Sequence, residues 1–326
     1  MQGAAIMNAI IVRDFGPPEM MKYESLPDPV AAAGQVLVSV KAVGVNPVDT
    51  YIRSGAYASR PSLPYTPGSD AAGIVLATGP DVARFKAGDR VYLAGSITGA
   101  YAEQVVCAES QVYPLTENLI FAQGAAIGVP YATAYRALFM RGQARSGEIA
   151  LIHGATGGVG IAAVQLAKAA GLRVIATGGT EKGRALISQF GALDTIDHTI
   201  PGHLRKVLEI TGGKGADIII EMLANVNLGD DCSCLGKRGR IIVIGSRGKA
   251  TIDARDLMGR DADIRGMTLF NAGPHDITVI HASLMAGFAD GSLKPVINCE
   301  IPLSQAAKAH EMIRMPGALG KIVLVP

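Results

Sequence analysis

Apolar residues in the first third of the chain fall in short runs, each closed by proline, glycine or polar residues. Such runs predict strands at Ala9–Val12, Gln35–Ala42, Ala71–Ala77, Arg90–Leu93 and Tyr101–Cys107. Between them lie P-P at 17–18 and P-S-L-P-Y-T-P-G at 61–68, which read as turns. The pattern predicts a mostly β unit with a partly open barrel. From about residue 125 the rhythm becomes strand, helix, strand. Apolar strands are predicted at Ile149–His153, Arg173–Thr177, Asp194–Asp197, Asp217–Met222, Arg240–Ile244 and Ile264–Leu269. Helical spacing lies between several of them, notably at Gly158–Ala170 and Gly183–Phe190. Short strands alternating with helices predict a parallel sheet, which right-handed crossovers wind on both faces. The tail predicts helices near Asp276–Ala289 and Leu303–Met315, then a strand at Lys321–Val325. The fold class is therefore α/β.

Composition narrows the picture. A length of 326 residues suggests two domains, and 49% hydrophobic with 18% charged residues excludes a disordered chain. Thirty basic against 28 acidic residues give a formal charge of +2, so no basic field for nucleic acid or an acidic membrane is expected. The N-terminal residues lack a basic n-region, and no apolar run approaches membrane-spanning length. Four scattered cysteines are too few for a disulfide scaffold, so a cytoplasmic location is expected.

The richest chemistry lies in I-A-L-I-H-G-A-T-G-G-V-G-I-A-A-V-Q-L-A-K, where a strand ends at His153, a glycine turn follows and a helix begins. Small residues let the backbone approach a pyrophosphate, and the helix N-terminus offers free N–H groups to the anion. In the G-x-G-x-x-G frame the three positions are Ala155, Gly157 and Gly160. An NAD site usually ends its second strand in a carboxylate that binds the ribose hydroxyls. Here that strand runs into Gly178, Gly179, Thr180, Glu181 and Lys182. NADPH is therefore favoured over NADH. Lys182 is either a point-charge partner for a 2′-phosphate or a solvated lysine at a helix start.

No metal site is expected. Zinc needs three or four Cys, His or carboxylate ligands drawn together, and no C-x₂-C cluster exists. Cys232 and Cys234 fall in a helical stretch, where side chains two apart point away from each other. His153 reads as a core histidine. His198 follows the third strand at its carboxyl end and either faces the adenosine end of a cofactor or is an ordinary surface residue.

Longer motifs carry a resemblance. They are G-V-N-P-V-D-T-Y-I-R-S-G at 44–55, L-P-Y-T-P-G-S-D-A-A-G at 63–73 and Q-G-A-A-I-G-V-P-Y-A-T-A-Y-R-A-L at 123–138. With them go H-G-A-T-G-G-V-G, then I-I-I-E-M-L-A-N-V-N-L at 218–228 and G-S-R-G at 245–248. From about residue 8 onward the chain resembles the medium-chain dehydrogenase/reductase superfamily. Within it, the chain is similar to the zinc-free quinone oxidoreductases of the zeta-crystallin type. The resemblance implies a GroES-like catalytic domain at 1–124, completed by 270–326. It also implies a Rossmann NADPH-binding domain at 125–269 and an active cleft between the two. Zinc-dependent relatives carry Cys and a G-H-E motif as catalytic ligands, and the matching positions here are Asn46 and Gly68–Asp70.

The same resemblance implies the site residues. Tyr51 lies near the nicotinamide, and Thr156, Gly157, Gly158 and Val159 cradle the pyrophosphate. Gly179 and His198 lie on the adenosine side, and Asn227 belongs to A-N-V-N. Ile244, Gly245, Ser246 and Arg247 follow the fifth strand, and Met267, Thr268 and Leu269 lie at the sixth. The expected catalytic residues are Tyr51, to hydrogen-bond an acceptor oxygen, and Asn46, to assist. The implied activity is zinc-independent reduction of a small-molecule quinone by NADPH, with ortho-quinones preferred. Reduction of a conjugated C=C bond in alkenals or enones is the alternative on the same fold. A homodimer or homotetramer is implied. An RNA-binding role finds no basic patch or RNA-recognition motif in the sequence.

Overall fold

In the computed structural model, which describes residues 5–326, the chain opens as an antiparallel ribbon of β1 (Ile6–Val12) and β2 (Met21–Pro27). Next comes β3 (Gln35–Gly44), whose Val36, Val38 and Val40 alternate into the core as a half-buried strand requires. α1 (Pro47–Arg53) follows, with extended Asn46 as its cap and Pro47 as its first residue. β4 (Asp70–Thr78), β5 (Arg90–Ala94), β6 (Gln104–Ala108), β7 (Val112–Pro114) and the short α2 (Phe121–Gly124) complete this stretch.

The chain then enters the second unit through α3 (Gly128–Tyr135). Its elements are β8 (Ile149–Ile152), α4 (Gly158–Ala169), β9 (Arg173–Thr177), α5 (Glu181–Phe190), β10 (Asp194–Ile196) and α6 (Arg205–Ile210). They continue through β11 (Ala216–Glu221), α7 (Ala224–Cys234), β12 (Leu235–Val243), α8 (Ala254–Met258), β13 (Asp263–Gly266) and α9 (Pro274–Ala289). All of its strand pairs are parallel, in the order β10-β9-β8-β11-β12-β13. That order reverses direction between β8 and β11, the crevice where open α/β sheets bind ligands. Leu151, Ile175, Ile219 and Ile241 from four neighbouring strands form the heart of its core.

The chain closes with β14 (Ile297–Pro302), α10 (Ala306–Met312) and β15 (Lys321–Val325), which belong to the first unit. That unit's sheet runs β14-β15-β3-β4-β5-β7, with β6 also on β3. By contact the first unit comprises residues up to Val129, Pro295–Met315 and Gly320–Pro326, and the second comprises Pro130–Lys294 and Pro316–Leu319. Among the described residues no helix is long and apolar enough to cross a membrane.

Several elements depart from the hydrophobic pattern for local reasons. The strand predicted to reach Leu269 stops at Gly266, and Leu269–Asn271 turns as a short 3-10 helix. The helix predicted from Gly183 starts at Glu181, because the Thr180 hydroxyl accepts from the Gly183 N–H. Cys232 and Cys234 do lie in α7. Replacing fully buried Leu151 by Ala is expected to cost about 2–5 kcal/mol in the second unit. Urea denaturation measures it, and a cost below about 1 kcal/mol would mean that this core collapses around the gap.

Candidate functional site

The glycine turn sits where β8 gives way to α4. Gly154 adopts a left-handed φ of 53°, and its N–H meets the Thr177 hydroxyl at 3.2 Å. A Cβ on Gly160 would lie 2.3 Å from the Gly154 carbonyl oxygen, so glycine alone lets the helix pack down on the turn. At Gly157 the added atom would meet nothing nearer than 3.6 Å, which leaves that side open. Gly157 caps α4 without a side-chain cap, so the first-turn N–H groups face outward from a twelve-residue helix. Gly157, Gly158 and Val159 are half-buried, and Thr156 is buried with its methyl group against Gly178 and Gly183. An open concave backbone with uncapped donors fits the pyrophosphate of a dinucleotide.

The rim beyond β9 is closely packed around its two glycines. A Cβ on Gly179 would come 2.8 Å from Nε2 of His198, so the imidazole lies against that glycine. Lys182 is exposed on the first turn of α5. Arg184, which the sequence did not single out, donates to the Gly178 carbonyl and pairs with Asp197, both at 2.9 Å. It ties the ends of β9 and β10 together.

On the other side of the switch point, a Cβ on Gly245 would lie 2.4 Å from the Met222 carbonyl oxygen. The Arg247 N–H donates to Asn225 Oδ1 at 2.8 Å, and the Ser246 hydroxyl donates to the Gly248 carbonyl at 2.8 Å. Those bonds fold the segment after β12, including half-buried Ile244, back on the start of α7. Met267 is buried, with its N–H on the Val243 carbonyl at 3.0 Å, and Arg136 donates to the Thr268 carbonyl at 2.8 Å. Half-buried Leu269 begins the turn that follows.

Asn227 leads to a group that sequence reasoning missed. Its Nδ2 donates to both oxygens of Glu221 at 3.2 Å, and Glu221 also accepts from the Leu223 N–H. Glu221 and Asp231 are fully buried, and His153 Nε2 lies 2.8 Å from Asp231 and 3.6 Å from Glu221. Glu221, Asn227 and Asp231 come from one stretch of sequence, but His153 joins them from the end of β8, a pairing that no local motif signals. Their ligating atoms lie within 4.8 Å of one another, which is also metal-binding geometry. Hydrogen-bond distances inside the cluster fit protons held between these groups. Burial pushes both carboxyls up to about 7 and lowers His153.

In the first unit, Tyr51 is half-buried on α1, with the Arg314 guanidinium 5.4 Å from its ring centre. Asn46 is 2% exposed, and its amide is engaged on both sides. Its Nδ2 donates to Asp70 at 2.9 Å, and its Oδ1 accepts from the Lys321 ammonium, which also reaches Asp70 at 3.3 Å. The Asp49 carboxylate accepts from the Asn46 N–H at 2.8 Å and from the Tyr101 hydroxyl at 3.3 Å. Tyr101 meets His310 Nε2 at 3.0 Å, and Arg53 Nε donates to His310 Nδ1 at 3.3 Å. Burial raises Asp49 to about 7, and burial with the nearby Arg53 lowers His310 to about 3. Neutral His310 therefore takes a proton bond from Arg53 and gives one to Tyr101. The network locks the helix that carries Tyr51 and holds both ends of the Asn46 amide. Zinc does not fit here: an amide, a carboxylate and an ammonium are not a zinc ligand set.

The buried acids of the second unit carry a pH signature. An unfolded chain loses these protons near pH 4, whereas the folded one keeps them until about 7. The folded state binds more protons across that window, so their contribution to stability falls as pH rises. His153 acts oppositely on the acid side, since burial makes the folded imidazole harder to protonate than the unfolded one. Asp231→Asn should therefore look relatively better at pH 8 than at pH 5. Urea denaturation at both pH values measures this, and an equal difference at each would remove Asp231 as a proton holder.

Comparison with known proteins extends over both units. An alcohol dehydrogenase GroES-like domain model matches residues 32–117, and a zinc-binding dehydrogenase model matches residues 158–285. The second span contains neither Asn46 nor Asp70. Human quinone oxidoreductase is 48% identical over 325 residues, covering 99% of this chain and 99% of its own length. An NAD-dependent alcohol dehydrogenase structure superposes with a TM-score of 0.92 at 30% identity, covering 98% of this chain and 100% of that one. Escherichia coli quinone oxidoreductase, complexed with NADPH, gives 0.88 at 30% identity, with 98% and 100% covered. A GroES-like unit, a parallel nucleotide-binding sheet and near-half identity along the whole chain agree: this oxidoreductase belongs to the quinone oxidoreductase family of the medium-chain dehydrogenase/reductase superfamily.

Proposed function

We propose that this chain reduces quinones with NADPH, without zinc, and prefers ortho-quinones. The observation that carries the cofactor choice is the end of β9. There the strand runs into Gly178 and Gly179, where an NAD site would place a carboxylate for the ribose hydroxyls, and the nearby Asp197 is paired with Arg184. The likeness to an NAD-dependent alcohol dehydrogenase concerns the fold, which does not by itself choose between the two cofactors. When bound, NADPH supplies the reducing equivalents.

The protein's part is to bind, orient and exclude water. Backbone N–H groups of 157–159 hold the pyrophosphate, and Thr156 packs beneath them. Gly179, His198 and Lys182 take the adenosine end. Ile244–Arg247, Asn227 and 267–269 border the nicotinamide half. Glu221 positions Asn227, and Arg136 anchors the 267–269 segment through Thr268. Tyr51 gives an acceptor oxygen its hydrogen bond. Asn46, its amide held between Asp70 and Lys321, assists by positioning α1. A quinone is flat and electrophilic and asks for little acid catalysis, which suits a site whose polar groups mainly orient. The catalytic domain corresponds to the first unit and the cofactor domain to the second. β13 ends its sheet as an edge strand, which supports pairing with a second copy.

Initial rates with chelator-treated protein test this reading. NADPH and NADH are compared on an ortho-quinone, a para-quinone and a trans-alkenal. The expected result is NADPH-dependent turnover, fastest on the ortho-quinone. Alkenal turnover with inert quinones would move the function to C=C reduction. Tyr51→Phe should lower kcat/KM by up to about tenfold, the worth of one hydrogen bond. Lys182→Ala should raise the KM for NADPH by roughly tenfold and leave NADH unchanged. Equal effects on both cofactors would release Lys182 from the phosphate.

A further inference from the structure

The centre formed by Asn46, Asp70 and Lys321 is built for a cation, and the chain supplies one. Asp70 is fully buried, Asn46 is 2% exposed and Lys321 is 4% exposed. The ammonium donates to Asn46 Oδ1 and Asp70 Oδ2, while Asn46 Nδ2 closes the triangle on the same Asp70 oxygen. The Val129 N–H holds the other carboxylate oxygen at 2.9 Å. Two glycines make the room. A Cβ on Gly44 would lie 2.9 Å from the Lys321 Cε and 1.9 Å from the Ala125 carbonyl oxygen. A Cβ on Gly128 would lie 2.3 Å from Asp70 Oδ1. The lysine stem and the carboxylate each fill a slot that any larger residue would block.

We propose that the Lys321 ammonium is a resident cation that occupies the place against Asn46 and Asp70 where a metal ion would have to bind. A divalent ion seated on these oxygens at about 2 Å would share its space with a fixed positive charge. Lys321, which no sequence motif marks, is thus a positioning residue. Its charge holds Asp70 and Asn46, and Asn46 caps the helix of Tyr51. The proposal deepens the metal-free part of the function above. Its readout is stability, so it stands or falls apart from the quinone substrate.

The test is Lys321→Ala, which empties the slot. Thermal unfolding is followed with methylammonium, ethylammonium, magnesium or zinc added. The wild type should show no response that Asp70→Asn removes. Lys321→Ala should gain roughly 2–4 °C with a small ammonium or a divalent ion, and Lys321→Ala/Asp70→Asn should lose that response. A folded Lys321→Ala that ignores every cation overturns the proposal. So does one equivalent of zinc on the dialysed wild type that Asp70→Asn releases. Should Lys321→Ala fail to fold, Lys321→Met and Lys321→Met/Asp70→Asn decide the matter. The double variant should be the more stable of the two, because it leaves no buried charge unpaired, whereas simple addition of the two losses contradicts the proposal.

Discussion

Parallel strands all finish on the same side of their sheet, and in the second unit this constraint places every cofactor candidate. The residues that follow β8, β9, β10, β11, β12 and β13 are the glycine turn, Gly178–Gly179, His198, the Glu221–Asn227 segment, Ile244–Arg247 and Met267–Leu269. Distant stretches of sequence become neighbours because their strands share one direction. The reversal of strand order between β8 and β11 then separates the crossover helices and leaves the crevice open. In the proposed site, backbone donors and glycines that keep the backbone reachable outnumber the side chains of this half.

Both units bury charge, and they neutralise it by different means. The second unit keeps protons on a carboxyl cluster beneath the glycine turn, where His153, Glu221 and Asp231 lie within bonding reach. The first unit sets a fixed ammonium against a fixed carboxylate and fills the remaining valences with Asn46 and a backbone N–H. Leaving either group unpaired in the interior would be costly, which explains why each has several partners. The two solutions differ in kind: one shares protons among acids and a histidine, and the other sets opposite charges against each other.

Much of the fold was legible because its signals are local. Alternation in Gln35–Ala42, the strand–glycine–helix order at 149–170 and the short apolar runs of the parallel sheet each depend on neighbouring residues. What escaped was set elsewhere. α1 is not among the elements the apolar pattern predicts, and the Asp49 carboxylate on the Asn46 N–H reveals its cap. β2 and β14 have too little apolar alternation to be read as strands, with burial patterns that are mostly exposed or intermediate. The site residues missed were Arg53, His310, Lys321, Glu221 and Asp231. Each makes its decisive bond to a residue distant in sequence, or acts through a neighbour that only tertiary structure supplies.

The position of Lys321 in the chain has a consequence for how the protein is made. Asn46 and Asp70 emerge early from the ribosome, and the cation they require is added only after the whole second unit has been synthesised. The second unit is nearly contiguous, from Pro130 to Lys294, and can fold while the first still lacks β14, α10 and β15. Domains commonly mature in the order in which they are translated. Here the interrupted unit would be the later one to finish, and a nascent chain would hold an unpaired carboxylate until its final strand arrived.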